Sequence, residues 1–334
     1  MVVDCHTHII VPEILRSTAP GDDWRPAVRW QNDQQIIDFA GKQIRSAVRD
    51  FVHIEQILEN QAGAGVDHVV LSPWVSLVGY DQPAAAGLQI SQIQNEGLLQ
   101  IAGQYPEQVS VLGTVPLQTP DIAADVLVGL MAEPGIIGVE IAASVNGDYL
   151  GHERLRPFWA AADETGAVVF VHPTTRGFDL PVLNDYYLWN TAGNPLETAI
   201  TAAHMVMSGL MEQYPNLKVV LAHGGGALMA LRGRLRHAHT FQPQARAQLT
   251  HSPDESLRRF YYDSLTHDAG LLHDLLDFVG DDHVLLGSDY PFDMGDNHAV
   301  QNIRALGLPA ATVTNILSRN FSRLINSTKA MKGD

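Results

Sequence analysis

The sequence predicts a (β/α)8 barrel of the TIM type, an α/β fold made of eight successive strand–helix units. The chain has 334 residues, a length that one such barrel with insertions commonly has. Short apolar runs rich in β-branched residues alternate along it with segments of helical length, and eight such runs can be counted. We therefore expect residues 1–334 to form a single barrel domain.

The predicted elements alternate over nearly the whole chain. We place the strands at Val2–His8, His68–Pro73, Val109–Pro116, Ile136–Ala142, Ala167–His172, Lys218–His223, Phe260–Ser264 and His283–Ser288. We place the helices at Val52–Ala64, Ala84–Tyr105, Ile122–Ala132, Leu155–Glu164, Leu196–Gln213, Ala227–Ala238, Ala269–Val279 and Ala311–Phe321. Eight strands that are each followed by a helix are the number that closes this type of barrel.

Two long segments interrupt the alternation. Val11–Phe51 follows the first strand and is rich in Pro, Gly, Asp and Trp, so we interpret it as an insertion that covers the barrel mouth like a lid. Pro173–Pro195 follows the fifth strand and carries Tyr186, Tyr187 and Trp189. These aromatic side chains either wall a pocket for a planar ligand or simply pack within the loop.

Composition excludes several classes of protein. The net charge is −16 and the basic residues are scattered, which argues against nucleic acid and anionic membranes as partners. Cys5 is the single cysteine, so no intrachain disulfide can form and a cytoplasmic location is expected. The N-terminus lacks the pattern of a signal peptide, and the sequence has no run of about 18 apolar residues that would span a membrane.

Histidines and one carboxylate follow the predicted strands at the end where barrel enzymes hold their active sites. The first strand ends in His6-Thr7-His8, the fifth in His172, the sixth in His223 and the eighth in Ser288-Asp289. Residues two apart on a strand point to the same side, so His6 and His8 can bind one ion together. With His172 and Asp289 they form a nitrogen- and oxygen-rich set that suits one zinc ion, with manganese as the alternative.

Five segments resemble the amidohydrolase superfamily, within it the branch of aminocarboxymuconate-semialdehyde decarboxylase and related metal-dependent decarboxylases. They are VVDCHTHI (Val2–Ile9), GAGVDHVVLSP (Gly63–Pro73), VHP (Val171–Pro173), YPNLKVVLAHGGGALMALRGR (Tyr214–Arg234) and GDDHVLLGSDYPF (Gly280–Phe292). The resemblance implies that His6, His8, His172 and Asp289 bind the metal, and that His223 and Asp289 serve catalysis, with His223 as the acid/base beside the metal.

The same resemblance implies two arginines that bind the carboxylates of a small-molecule substrate. These are Arg45 in the insertion and Arg234 on the helix after the sixth strand. In homodimers of the family the second arginine reaches the neighbouring subunit's pocket, so we expect a homodimer. Two guanidinium groups directed into one cleft fit a ligand that carries carboxylates. His267 lies just past the seventh strand and could line the same pocket.

One departure from the superfamily pattern indicates a site for a single metal ion, whereas the type of reaction stays open. Many members of the superfamily have a carboxylated lysine after the fourth strand that bridges two metals, but this strand reads GVEIAA, so one metal per chain is expected. Non-oxidative decarboxylation of an unsaturated or aromatic acid is the leading hypothesis. Hydrolysis of a carbon–carbon, ester or amide bond would use the same residues, and a barrel that only binds a ligand is the third possibility.

Overall fold

The computed structural model describes residues 1–15, 24, 26–32, 34–39, 42–46, 49–174 and 180–332. Eight parallel strands form its central sheet in the order β1, β5, β6, β7, β10, β11, β12, β13. The bounds of all strands in these residues are β1 (Val3–Ile9), β2 (Ala27–Gln31), β3 (Gln34–Phe39), β4 (Lys42–Ser46), β5 (His68–Pro73), β6 (Val109–Gly113), β7 (Ile136–Ala142), β8 (Ser144–Val145), β9 (Asp148–Tyr149), β10 (Val168–His172), β11 (Lys218–Leu221), β12 (Tyr261–Asp263) and β13 (Val284–Leu285).

The sheet closes because the segment after β13 returns to the first strand. Cys5 N donates to Leu286 O at 2.9 Å, and His8 N donates to Tyr290 O at 2.7 Å. The carboxylate of Asp4 accepts hydrogen bonds from the Ser288 amide and hydroxyl groups, which adds side-chain bonds across the same seam. The predicted barrel is thereby confirmed.

Helices connect consecutive barrel strands, as the alternation predicts. In the described residues they are α1 (Pro12–Leu15), α2 (Ile54–Gly63), α3 (Ala84–Gln104), α4 (Pro120–Leu130), α5 (Arg156–Thr165), α6 (Asn194–Met207), α7 (Leu210–Gln213), α8 (Leu228–Phe241), α9 (Pro243–Arg246), α10 (Pro253–Leu257), α11 (Ala269–Val279), α12 (Ala299–Ala305), α13 (Ala310–Thr314) and α14 (Asn320–Lys332). Among these residues no helix is both long and apolar enough to cross a membrane.

The barrel strands are buried on both faces, which explains their continuous apolar runs. Val3, Cys5, Val70 and Phe170 belong to one inner cluster with Phe321 and Leu324 of α14. The pairing of β1 with β5 shifts register between Asp4 and Thr7, and irregularities of this kind change the direction of side chains. His6 and His8 therefore enter the interior above the apolar layer.

The segment after β1 contains regular structure that the sequence did not predict. Strands β2, β3 and β4, all within the predicted insertion over residues 11–51, pair antiparallel into a small three-stranded sheet. Strand β3 contributes the fully buried Ile36, Ile37 and Phe39. Ile37 and Phe39 belong to the main hydrophobic core, and the alternation within these short strands is too weak to be read from the sequence.

Candidate metal centre

Four histidines converge on the carboxylate of Asp289 at the carboxyl end of the barrel. Oδ1 of Asp289 lies 3.2 Å from His6 Nε2, 3.1 Å from His8 Nε2 and 3.7 Å from His172 Nε2. Its other oxygen, Oδ2, lies 3.3 Å from His223 Nε2. The structure thus brings together all five residues that the strand ends predict for the site.

The backbone at two of these residues has a conformation that side-chain-bearing residues rarely adopt. His223 and Asp289 both have φ of 57°. Positive φ at a residue other than glycine costs free energy and is concentrated at functional sites. After His223 the chain continues through three glycines, and a Cβ on Gly226 would lie 2.3 Å from Pro195 O. Glycine is required there so that the loop can pass close to the start of α6.

The Nδ1 atoms of three histidines face other partners, which leaves the Nε2 atoms directed to the centre. His6 Nδ1 lies 2.6 Å from Asp263 Oδ2, and His172 Nδ1 lies 2.8 Å from Pro173 O. His8 Nδ1 lies 3.2 Å from Ser72 Oγ and 3.6 Å from Glu140 Oε2. Partners of this kind set the tautomer and the orientation of histidines that bind metals.

Sequence reasoning missed Asp263 and Glu140 as parts of this site. Asp263 ends β12, where it also accepts hydrogen bonds from the amides of His223 and Gly224. Glu140 lies on β7 and is fully buried. The available signal was a carboxylate in an otherwise apolar barrel strand, because buried carboxylates are rare without a partner.

Charged neighbours in this centre shift pKa values in the direction opposite to the effect of burial. Burial raises the pKa of Asp289, but the charge of His6 and the neighbouring rings of His172 and His223 outweigh it and hold this pKa well below its ordinary value. Burial lowers the pKa of His6, yet Asp289 and Asp263 raise it well above its ordinary value. For His172, burial dominates and lowers the pKa to about 3. The two carboxylates therefore attract a cation to this position.

The residues fit a divalent metal. His6, His172, His223 and Asp289 each offer a ligand atom, and these atoms lie within 4.8 Å of one another. His6 Nε2 and His172 Nε2 are buried and make no hydrogen bond with any described residue. Buried nitrogen atoms without a partner are costly, and a metal ion between them would satisfy both. His8 Nε2 also faces this carboxylate, at 3.1 Å from Asp289 Oδ1, so five side chains surround the position.

A cavity of about 400 Å³ opens beside His223 and Asp289. Its walls include apolar side chains from four segments, namely Pro195, Ala227, Met229, Leu265, Leu271 and Met294. Asn190, Thr191, Asn194, Thr266 and His267 add polar groups, so the prediction that His267 lines the pocket is consistent with the cavity. Tyr186, Tyr187 and Trp189 are exposed and are not among the lining residues.

The described part of the structure places one of the two predicted arginines. Arg45 lies on β4 opposite Ile36, and its side chain is outside the described part of the structure. Arg234 is exposed on α8 and is not among the residues that line its own chain's cavity. Among the described residues it has no hydrogen bond or ion pair, so a role in binding needs a ligand or a second chain.

A match to a protein-family model supports the resemblance that the sequence motifs indicate. Residues 3–325 match the family described as amidohydrolase. The chain belongs to this family. The match includes every candidate site residue from His6 to Asp289.

Three relatives show how the similarity is distributed. The chain is 33% identical over 233 residues to a 2-amino-3-carboxymuconate-6-semialdehyde decarboxylase of Dictyostelium discoideum, covering 69% of this chain and 64% of the relative, slightly less than two thirds of its length. It is 25% identical to a gamma-resorcylate decarboxylase of Rhodococcus jostii over 95% of this chain and 96% of that one. A dihydroxybenzoic acid decarboxylase of Polaromonas sp. JS666, solved with bound manganese, shares the fold with a TM-score of 0.80, 19% identity and coverage of 97% and 96%.

Proposed function

We propose that the protein is a metal-dependent decarboxylase that removes CO2 from an aromatic or unsaturated carboxylic acid. The observation that carries this proposal is the convergence of three buried imidazoles and one carboxylate beside a cavity of about 400 Å³. The relatives named as decarboxylases support the reaction class, and their match extends over most of the barrel.

We assign His6, His8, His172 and Asp289 as the ligands of one divalent metal ion per chain, with zinc as the expected ion and manganese as the alternative. The nitrogen-rich donor set favours zinc. Manganese is supported by the related decarboxylase that was solved with this ion. A bound metal would supply positive charge that draws the substrate's oxygen atoms and stabilises negative charge as CO2 leaves.

His223 is the proposed acid/base. Its Nε2 lies beside Asp289, and its side chain is 16% exposed, whereas His6 and His8 are completely enclosed. It also lines the cavity, so a substrate can reach it. In decarboxylation the electron pair of the broken carbon–carbon bond remains on the substrate carbon, and that carbon takes up a proton. His223 is positioned to donate this proton.

Arg45 and Arg234 are the proposed carboxylate-binding residues, with Arg234 acting across a homodimer interface. The apolar walls of the cavity suit a flat ring, whereas the described lining residues include no lysine or arginine. A carboxylate needs a cationic partner, and an exposed arginine that has no partner among the described residues of its own chain can supply one to a neighbour.

The test is a product assay on protein loaded with zinc or manganese. Candidate acids include those named for the relatives, gamma-resorcylate and 2-amino-3-carboxymuconate-6-semialdehyde. We expect release of CO2, about one metal ion per chain, and loss of activity when a chelator removes the metal. A new carboxylate without CO2 would identify a hydrolase instead, and two tightly bound ions per chain would contradict the proposed site.

A further inference from the structure

Glu140 is a buried carboxyl group that the proposed chemistry does not use. It lies on β7 with no exposed surface, and neither of its oxygen atoms has a hydrogen-bond partner among the described residues. Its Oε2 lies 3.6 Å from Nδ1 of His8. Burying a carboxyl group without a hydrogen-bond partner is costly, so the presence of Glu140 calls for an interaction at the site.

Two other buried carboxylates of the described residues, Glu197 and Asp263, accept several hydrogen bonds each. Glu197 accepts from Ser144 Oγ at 2.9 Å and from the Thr174 amide at 2.7 Å. Asp263 accepts from three backbone amides and lies 2.6 Å from His6 Nδ1. Burial alone therefore does not explain why Glu140 has no partner of its own.

The position of Glu140 relative to His8 parallels that of Asp263 relative to His6. In each case a carboxyl group faces Nδ1, while Nε2 of the same ring faces Asp289. Ser72 on the neighbouring strand adds its hydroxyl oxygen 3.2 Å from His8 Nδ1. The Ser72 hydroxyl can accept a hydrogen bond from Nδ1 while it donates to Thr7 O at 3.4 Å, so serine and glutamate both face the Nδ1 side of the ring.

We propose that Glu140, together with Ser72, is a positioning residue for His8 that holds the proton on Nδ1 and so presents the lone pair of Nε2 to the metal. This inference rests on the proposed metal site. The ring of His8 separates Glu140 from the centre, since Nδ1 faces Glu140 and Nε2 faces Asp289. Glu140 is therefore a partner of a ligand and not a ligand itself.

The experiment measures metal affinity, which does not depend on knowing the substrate. The full-length chain is stripped of metal, and zinc is titrated in competition with a chromophoric chelator. Glu140→Gln keeps the size of the side chain but removes the carboxylate, so we expect zinc to bind about 10- to 100-fold more weakly. The visible spectrum of the cobalt-loaded variant should also change, because the His8 ring is no longer held in one orientation.

The matched control is Asp254→Asn, which removes another buried carboxylate. Asp254 lies on α10 and pairs with Arg236, away from the centre. The zinc affinity of the Asp254→Asn variant should equal that of the wild type. An unchanged affinity in Glu140→Gln, or an equal loss in both variants, would overturn the positioning role. If Glu140→Gln does not fold, Ser72→Ala is measured in its place. We expect this variant to bind zinc more weakly, and an unchanged zinc affinity would contradict the proposal.

The result separates this inference from the proposed function. A wild-type chain that binds zinc but releases no CO2 from any acid would overturn the decarboxylase and leave the role of Glu140 intact. A wild-type chain that binds zinc and releases CO2, with Glu140→Gln at wild-type affinity, would overturn the positioning role alone. A wild-type chain that binds no divalent metal would overturn both.

Discussion

At the residue scale, the four histidines of the centre differ in what holds their second ring nitrogen. His6, His8 and His172 each have a partner close to Nδ1, which orients Nε2. His223 Nδ1 is buried and makes no hydrogen bond with any described residue. A ring without an orienting partner is less suited to ligation and freer to exchange a proton, which supports the assignment of His223 as the acid/base.

His223→Ala should therefore lose turnover while it keeps its metal. We expect kcat to fall about 10²- to 10⁴-fold, the range that general acid/base groups contribute. Metal content is measured by elemental analysis of the purified variant alongside the kinetic assay. His273→Ala is the control, since this histidine is exposed on α11, and its metal content and kcat should match the wild type.

Metal loss in His223→Ala would show instead that this residue is a ligand. That outcome has a geometric basis, because His223 Nε2 is nearly as close to Asp289 as the nitrogens of His6 and His8 are. Retention of both metal and turnover would remove His223 from catalysis.

At the element scale, the N-terminus of helix α11 lies directly beside the pocket. Asp268 is its N-cap and accepts a hydrogen bond from the Leu271 amide at 2.8 Å. The preceding residue, His267, has φ of 55° and lines the cavity. The cap therefore determines both where the helix begins and how the chain turns past the pocket.

Asp268→Ala should lower the free energy of unfolding by about 0.5–2 kcal/mol, because the first turn of α11 loses its capping acceptor. The measurement is chemical denaturation of the metal-loaded protein at fixed metal concentration. Asp268→Ser keeps a capping oxygen and should recover most of the loss. Equal destabilisation by alanine and serine would mean that the aspartate acts through something other than the cap.

At the scale of the whole molecule, α8 and its surroundings have the properties of a contact surface. Leu228 is the single residue of this 14-residue helix that is buried. Leu196 and Ile200 of the adjacent α6 and Phe241 at the end of α8 are exposed apolar side chains. Exposed apolar groups beside a weakly buried helix favour association, and Arg234 lies within this surface.

Mixing two inactive chains tests whether Arg234 acts across the interface. Arg234→Ala and His223→Ala are each expected to be inactive as homodimers. In a mixed dimer one pocket receives His223 and Arg234 from different subunits, so random exchange should restore about a quarter of wild-type activity. Subunit exchange is verified independently with differently tagged chains. Complete exchange without recovered activity would place Arg234 in its own subunit's pocket or outside catalysis.

The amino-acid sequence by itself determined the barrel, the strand order and the five central residues. The reason is that continuous apolar runs and the 3.6-residue helical period are local patterns, and a parallel barrel collects the carboxyl ends of its strands at one mouth. His6, His8, His172, His223 and Asp289 could be named because each lies at or just beyond the carboxyl end of a predicted strand. Strand and helix boundaries were less accurate, as at β13, where the prediction His283–Ser288 exceeds the observed Val284–Leu285.

The tertiary structure alone decided which groups orient these five. Glu140 meets His8, and Asp263 meets His6, across strands that are distant in sequence. No local pattern records such a pairing, since it depends on register and on the bulge in β1. The tertiary structure also placed Tyr186, Tyr187 and Trp189 outside the cavity and Arg234 on the surface. Periodicity determines which face of an element is buried, whereas contacts between elements follow from how the closed barrel packs.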